Sequence, residues 1–214
     1  MRTDPFTDTL DFLLGQQPDQ LALGAWRWLL MLLFYALLAG SVALAVRNWR
    51  ADPTQRSAVH VWAWVARTMM GAMWFQGAFW KLPLPRSNGF SYWTEQIAEN
   101  AAFAFHRSFA SEVMLPSLPL FQSIAFLSEM FFAITLMLGF AVRLSSVLAI
   151  GFVLQLWLGL YRHEHEWPWL FWFMVFTLGF FIVLRAGRSL GLDAVLRREE
   201  RLSPTAARLH TVAS

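Results

Sequence analysis

Arg67 and Glu129 are the residues whose type and placement most invite chemistry, because each is an ionisable side chain set inside a hydrophobic run. Arg67 lies in Val61 to Pro83, VWAWVARTMMGAMWFQGAFWKLP, which also carries Gln76 and Lys81; Glu129 lies in the run from Leu120 to Val142. A charge in bilayer hydrocarbon is costly and normally has a partner. At about 1.5 Å of helix rise per residue, Arg67 is placed about 10 Å from the cytoplasmic edge and Glu129 about 13 Å from the other edge. In a core about 30 Å thick their backbones then differ in depth by only about 6 Å, which an arginine side chain can span. The functional reading is a buried Arg67–Glu129 pair that holds a polar headgroup or relays a proton near the midplane. The structural reading is that Arg67 snorkels to the surface and Glu129 is protonated or bonded to a neighbouring helix.

Gln76 and Lys81 follow on the outer half of the same run, separated by more than one helical turn. With Trp74, Phe75, Phe79, Trp80 and Trp93 nearby, they outline an aromatic pocket with polar ends, suited to a quinone or a lipid headgroup. An aromatic belt with a snorkelling lysine is the competing reading. His163, Glu164, His165 and Glu166 supply nitrogen and oxygen donors, but adjacent link residues lack the i, i+4 spacing of helical zinc sites, so no metal site is expected. There is no phosphate-binding glycine loop and no nucleophile elbow. The chain has no cysteine, which excludes disulfides and chemistry through its own thiols.

The elements that must position these groups are membrane helices. Of the 214 residues 57% are hydrophobic and 14% charged, with 12 Trp and 20 Phe. Such a composition would leave a soluble domain with too much exposed apolar surface. The pattern predicts an all-α polytopic protein with five transmembrane helices: Ala25 to Val46, Val61 to Pro83, Leu120 to Val142, Leu144 to Tyr161 and Trp167 to Leu184. Residues 1–24 form a polar N-terminal segment without the features of a signal peptide, so the N-terminus is expected to be retained. In the long outer loop, 83–119, Trp93, Ile97, Ala101, Phe105 and Phe109 recur every four residues and predict one amphipathic helix from Ser91 to Ala110. Residues 186–214 form a basic tail.

Arg47, Arg50, Arg56, Arg143 and the arginines after Leu184 lie on one side of this topology, so the C-terminus is expected in the cytoplasm and the N-terminus outside a multi-pass inner (plasma) membrane protein. The net charge of +3 is explained by this asymmetry and calls for no nucleic acid.

Several of these residues stand in an ordered set: Arg67, then Gly77 and Lys81 in GAFWKLP, Glu129, Gly139 and Arg143 in LGFAVR, and Gly187, Arg188 and Asp193 in AGRSLGLD. In this the chain resembles the DoxX and DoxD-like membrane proteins, which include the small subunit of thiosulfate:quinone oxidoreductase. The resemblance implies a four-helix membrane domain over 61–185, with 25–46 as an additional N-terminal helix. It also implies a membrane subunit of a redox system that handles sulfur compounds or oxidative stress and is coupled to the quinone pool, with a thiosulfate:quinone oxidoreductase-like activity as one form of it.

No covalently bound cofactor is implied; quinone would be an exchangeable ligand, and electrons would come from a second oxidoreductase subunit or from the substrate itself. On this reading Arg67 and Glu129 position the headgroup and manage its proton, while Lys81 or Arg86 attracts an anion such as thiosulfate from the outer side. Two alternatives stand beside it: a non-catalytic scaffold that recruits a soluble oxidoreductase, and a small transporter, against which counts the lack of an inverted repeat or broken helix.

Overall fold

The computed structural model describes residues 4–83, 88–198, 210 and 212–214, and every regular element among them is helical. In chain order these are α1 (Pro5–Leu13), α2 (Pro18–Ala22), α3 (Trp26–Ala51), α4 (Ala58–Phe79), α5 (Asn88–Asn100), α6 (Ala104–Phe109), α7 (Leu118–Leu138), α8 (Val142–Gly159), α9 (Pro168–Val183) and α10 (Leu192–Arg198). Single turns at Pro53–Gln55 and Ala186–Arg188 are 3-10, and Ala110–Met114 forms a π turn.

Among the described residues α3, α7 and α8 are long and apolar enough to cross a membrane. Helix α9 has 16 residues and so spans roughly 24 Å, less than the hydrocarbon core. Its Trp169, Phe173, Phe176 and Phe180 nonetheless form a stripe at helical spacing, each 63–71% exposed on the outside of the bundle. An apolar face of that kind belongs against lipid chains, and the molecule is a membrane protein. Of the five expected spans three meet the length and composition criteria; α4 carries the buried Arg67 and α9 is short.

Helices α4 and α7 pack antiparallel as the centre of the bundle. A side-chain carbon added at Gly71 would sit 2.7 Å from the Met137 side chain and 3.0 Å from the Ala133 carbonyl. Only glycine lets the two backbones come this close. Around this contact Phe75, Phe79, Leu136, Met137 and Leu178 are fully buried.

The segment expected as a polar N-terminal stretch folds onto the bundle. Asp4 caps α1 by accepting from the N–H groups of Phe6 and Thr7, both at 2.9 Å, and proline occupies the first turn. Phe12 then packs edge-on against Phe34 at 5.2 Å and Phe79 at 6.1 Å. Buried Gln20 of α2 donates to the Phe12 carbonyl at 3.0 Å and fixes the turn between the two helices.

The single helix expected from Ser91 to Ala110 is divided. After Asn100 the chain bends, the Ala102 N–H donates to the Leu158 carbonyl at 2.8 Å, and the Arg162 N–H donates to the Asn100 carbonyl at 3.0 Å. Pairing with the end of α8 replaces helical bonds. The apolar stripe divides with it: Ile97 and Ala101 are buried, whereas Phe105 is 73% exposed.

Candidate functional site

Packing at Gly71 fixes which residues of α4 and α7 can meet. Six residues further along α4, Gly77 lies against the Glu129 carboxylate, with its added carbon 3.4 Å from Glu129 Oε2. Because the helices are antiparallel, stepping from Gly71 in the other direction brings Arg67 opposite Gly139, beyond the end of α7. Arg67 and Glu129 are therefore kept apart by roughly two to three helical turns, and the expected Arg67–Glu129 pair does not form.

Glu129 pairs instead with Lys81. The lysine ammonium lies 2.8 Å and 2.7 Å from the two carboxylate oxygens and donates to the Gly77 carbonyl at 2.9 Å. Its position 4.0 Å from the centre of the Trp80 ring adds a cation–π contact. Glu129 is 3% exposed and Lys81 12%, so the pair is largely withdrawn from solvent. A buried charge pair is sustained by good geometry and additional hydrogen bonds, both of which are present.

This pair stands in the wall of a cavity of about 410 Å³ between α4, α5, α7, α8 and α9. Trp80, Phe90, Trp93, Phe109, Phe121, Phe152 and Phe171 supply aromatic walls, and Thr94, Gln155 and Glu166 are the other polar side chains. Thr94 is occupied by its bond to the Phe90 carbonyl at 2.7 Å. Gln155 lies 3.3 Å from the Nε2 of His106, whose pKa is pushed below the ordinary 6.5 by burial. An apolar, aromatic cavity with a few convergent polar groups suits a planar organic headgroup.

The other expected pocket residues are dispersed. Trp80 and Lys81 line the cavity, whereas Gln76 is exposed on another side of α4 and donates to Gln17 at 3.0 Å. Trp74 is buried edge-on against Phe132 and Phe152, and its indole N–H has no hydrogen-bond partner. The expectation for Arg86 lies outside the described residues. In the link after α8, Glu164 and His165 form an exposed contact at 3.4 Å, the His163 ring lies 5.6 Å from Trp93, and Glu166 reaches the cavity. No group of three or more His, Asp or Glu placed to hold a metal occurs among the described residues.

Arg67 builds a second polar centre at the opposite end of α4. Fully buried, its guanidinium donates to the carbonyls of Leu136 at 2.6 Å and Met137 at 2.9 Å, with a longer contact to the Ser189 carbonyl at 3.4 Å. Carbonyls at the last turn of a helix lack intrahelical partners and carry the negative end of its dipole, so the arginine caps α7. Gly139, at φ +68°, turns the chain there, and a side-chain carbon on it would lie 2.6 Å from the arginine Cζ.

The segment after α9 closes this centre from below. Asp193 is wholly buried and accepts from the Ala141 N–H at 2.9 Å and the Val142 N–H at 3.4 Å, capping the start of α8. His210 Nε2 lies 2.8 Å from the same carboxylate. Burial pushes the Asp193 carboxyl above its ordinary range, against these hydrogen bonds. The space that a side chain on Gly187 would need is taken by the Asp193 carboxylate.

Asn48 donates to the Gly191 carbonyl at 2.9 Å, Gln55 accepts from the Leu190 N–H at 2.8 Å, and His60 lies 2.8 Å from the Ser189 hydroxyl. Ala141, Arg185 and Leu190, the non-glycine residues with positive φ among those described, all fall in this region. Arg188 contacts the Ser214 hydroxyl at 2.9 Å, and burial, with Arg197 and Arg185 nearby, pushes its pKa down to about 10. Arg143 is half-buried beside it.

The residues Arg67, Gly139, Gly187 and Asp193, widely separated in sequence, thus converge on one structural knot. Gly77, Lys81 and Glu129 meet at the ion pair, whose two charged residues line the cavity. The bond of Gln155 to His106 and the wall made by Phe152 were not singled out from sequence: an isolated glutamine and phenylalanine within an apolar run carry no distinguishing spacing.

A family model described as TQO small subunit DoxD matches residues 62–209. No curated protein and no solved structure matches the chain.

Proposed function

This chain belongs to the DoxD family, and from that premise we propose that it is the membrane subunit of a quinone-linked redox complex resembling thiosulfate:quinone oxidoreductase. The observation that carries the proposal is the aromatic cavity with the Lys81–Glu129 pair in its wall. A quinone headgroup is planar and apolar apart from its carbonyl oxygens, and the cavity offers stacking surfaces and a charged hydrogen-bond donor. Lys81 bonds both oxygens of Glu129, so one of these contacts can be exchanged for a quinone carbonyl while the other keeps the ammonium neutralised.

Reduction of a quinone to a quinol takes two electrons and two protons. In this reading the electrons come from the sulfur substrate or from a larger partner subunit, as the family description "small subunit" suggests. Lys81 orients the headgroup, and Glu129, ionised in the pair, takes up a proton from the aqueous side and passes it to a reduced quinone oxygen, and does so again for the second of the two protons. Arg67 is assigned to holding the ends of α7 and α8, and the chemistry is assigned to Lys81 and Glu129.

We place α3, α4, α7, α8 and α9 as five membrane spans in the plasma membrane. Arg143, Arg185, Arg188, Arg197 and Arg198 then face the cytoplasm, as the distribution of basic residues favours. The N-terminus and the mouth of the cavity face outward, where Lys81 and Arg86 would draw in an anionic sulfur compound. The test is organic extraction of the chain purified from native membranes in mild detergent. Near-stoichiometric quinone from the unaltered chain, and its loss from a Lys81→Met/Glu129→Leu variant, are expected; equal quinone from both would overturn the assignment.

A further inference from the structure

The cavity shares one wall with a second apolar site. A separate apolar groove of about 420 Å³ opens on the outside of the bundle between α7 and α8, lined by Leu127, Ser128, Phe131, Phe132, Leu148 and Phe152. Phe152 belongs to both: one part of its surroundings is the cavity with the Lys81–Glu129 pair, the other is the groove.

The same two helices line both sites, with Phe152 as the shared wall. On α7, Ile124 and Ala125 line the cavity and Ser128 and Phe131 line the groove, so the walls follow one helical stripe at intervals of three and four residues. On α8, Gln155 and Leu156 line the cavity, Phe152 is shared, and Leu148 lines the groove at the same intervals. From Ala125 to Phe131 this run is roughly 9 Å long. Its outer edge, with Leu127 64% and Leu148 50% exposed, faces the lipid side of the bundle.

We propose that the α7/α8 seam holds the apolar tail of the quinone whose headgroup occupies the Lys81–Glu129 cavity, and that the ligand passes between the site and the bilayer past Phe152. The inference rests on the quinone reading of the cavity and adds the tail's path. The groove has no charged side chain, and it shares Phe152 with the cavity whose wall bears the buried Lys81–Glu129 pair. A long apolar chain attached to a polar head matches an apolar groove set against a cavity with a buried ion pair, and a separate lipid would have no need of the shared wall.

The full chain in lipid nanodiscs is incubated with a benzoquinone whose decyl tail bears a photoreactive diazirine, and the labelled peptides are mapped. Labelling is expected on the stretch from Leu127 to Phe132 and around Leu148, and excess tail-less benzoquinone should reduce it at least fivefold by occupying the headgroup site. Leu148→Trp, at a half-exposed position, should weaken binding of the tailed quinone at least fivefold and leave binding of the tail-less one unchanged. Competed labelling at another face would overturn the tail path and leave the headgroup site standing. Groove labelling that the tail-less quinone does not reduce would show an independent lipid groove and overturn the proposal. Absence of saturable binding by either quinone would overturn the headgroup reading and the tail path with it.

Discussion

Lys81 Nζ lies within 2.8 Å of both carboxylate oxygens of Glu129, and this contact joins the end of α4 to the middle of α7. Removing one partner leaves the other charged, buried and unpaired. Lys81→Met or Glu129→Leu alone should destabilise the chain by about 3–5 kcal/mol, whereas the double substitution should recover most of that loss. Denaturant unfolding in detergent checks this; additive losses in the double variant would show that the two residues do not act as a pair.

The α7 cap makes a separate prediction. Gly139→Ala places a methyl group against the Arg67 guanidinium and forces alanine to φ +68°, so a loss of at least about 1–3 kcal/mol is expected. Arg67→Lys should not preserve the cap, since one ammonium cannot reproduce a planar fork bonded to Leu136 and Met137. Thermal melts of both variants in detergent provide the measurement, and a melting temperature equal to that of the unaltered chain for Arg67→Lys would refute the capping role.

Both Arg67 and Glu129 stand out in the sequence as charges within apolar runs, and both are buried with polar partners. Their partners were not legible, because matching depths from the ends of hydrophobic runs ignores the register that contact at Gly71 imposes. The ordered glycines and Asp193 marked a shared motif, but only the fold shows Gly139 and Asp193 meeting around Arg67 and the start of α8. The bend after Asn100 was hidden for a similar reason: a four-residue apolar period continues through it, while the bonds that divide the helix come from the distant end of α8. Asp4 followed by Pro5 is a helix-start pattern that a reading of residues 1–24 by polarity alone passes over.

His106 predicts a pH dependence. Burial lowers its folded-state pKa below the unfolded value, so its contribution to stability is present above the unfolded pKa and is lost as pH falls through the depressed folded pKa. Melting temperatures of the unaltered chain should therefore fall as pH is lowered from neutrality to below 6.5, and His106→Gln should flatten that part of the profile. An identical slope in the variant would assign the acid sensitivity to other groups.

Arg67 and Glu129 lie in two separate centres, so binding should distinguish them. A conservative Arg67→Gln change that remains folded should bind quinone with an affinity within about threefold of the unaltered chain, because its guanidinium serves backbone carbonyls remote from the cavity. Loss of binding without loss of the fold would return Arg67 to the site.

The central claim is tested most directly by equilibrium binding of a tail-less benzoquinone to the full chain in nanodiscs, followed by tryptophan fluorescence, since Trp80 stands at the cavity beside Lys81. Saturable binding is expected for the unaltered chain, with at least a tenfold weaker affinity in the folded Lys81→Met/Glu129→Leu variant. Equal affinities in the two proteins would contradict a quinone site built on the Lys81–Glu129 pair.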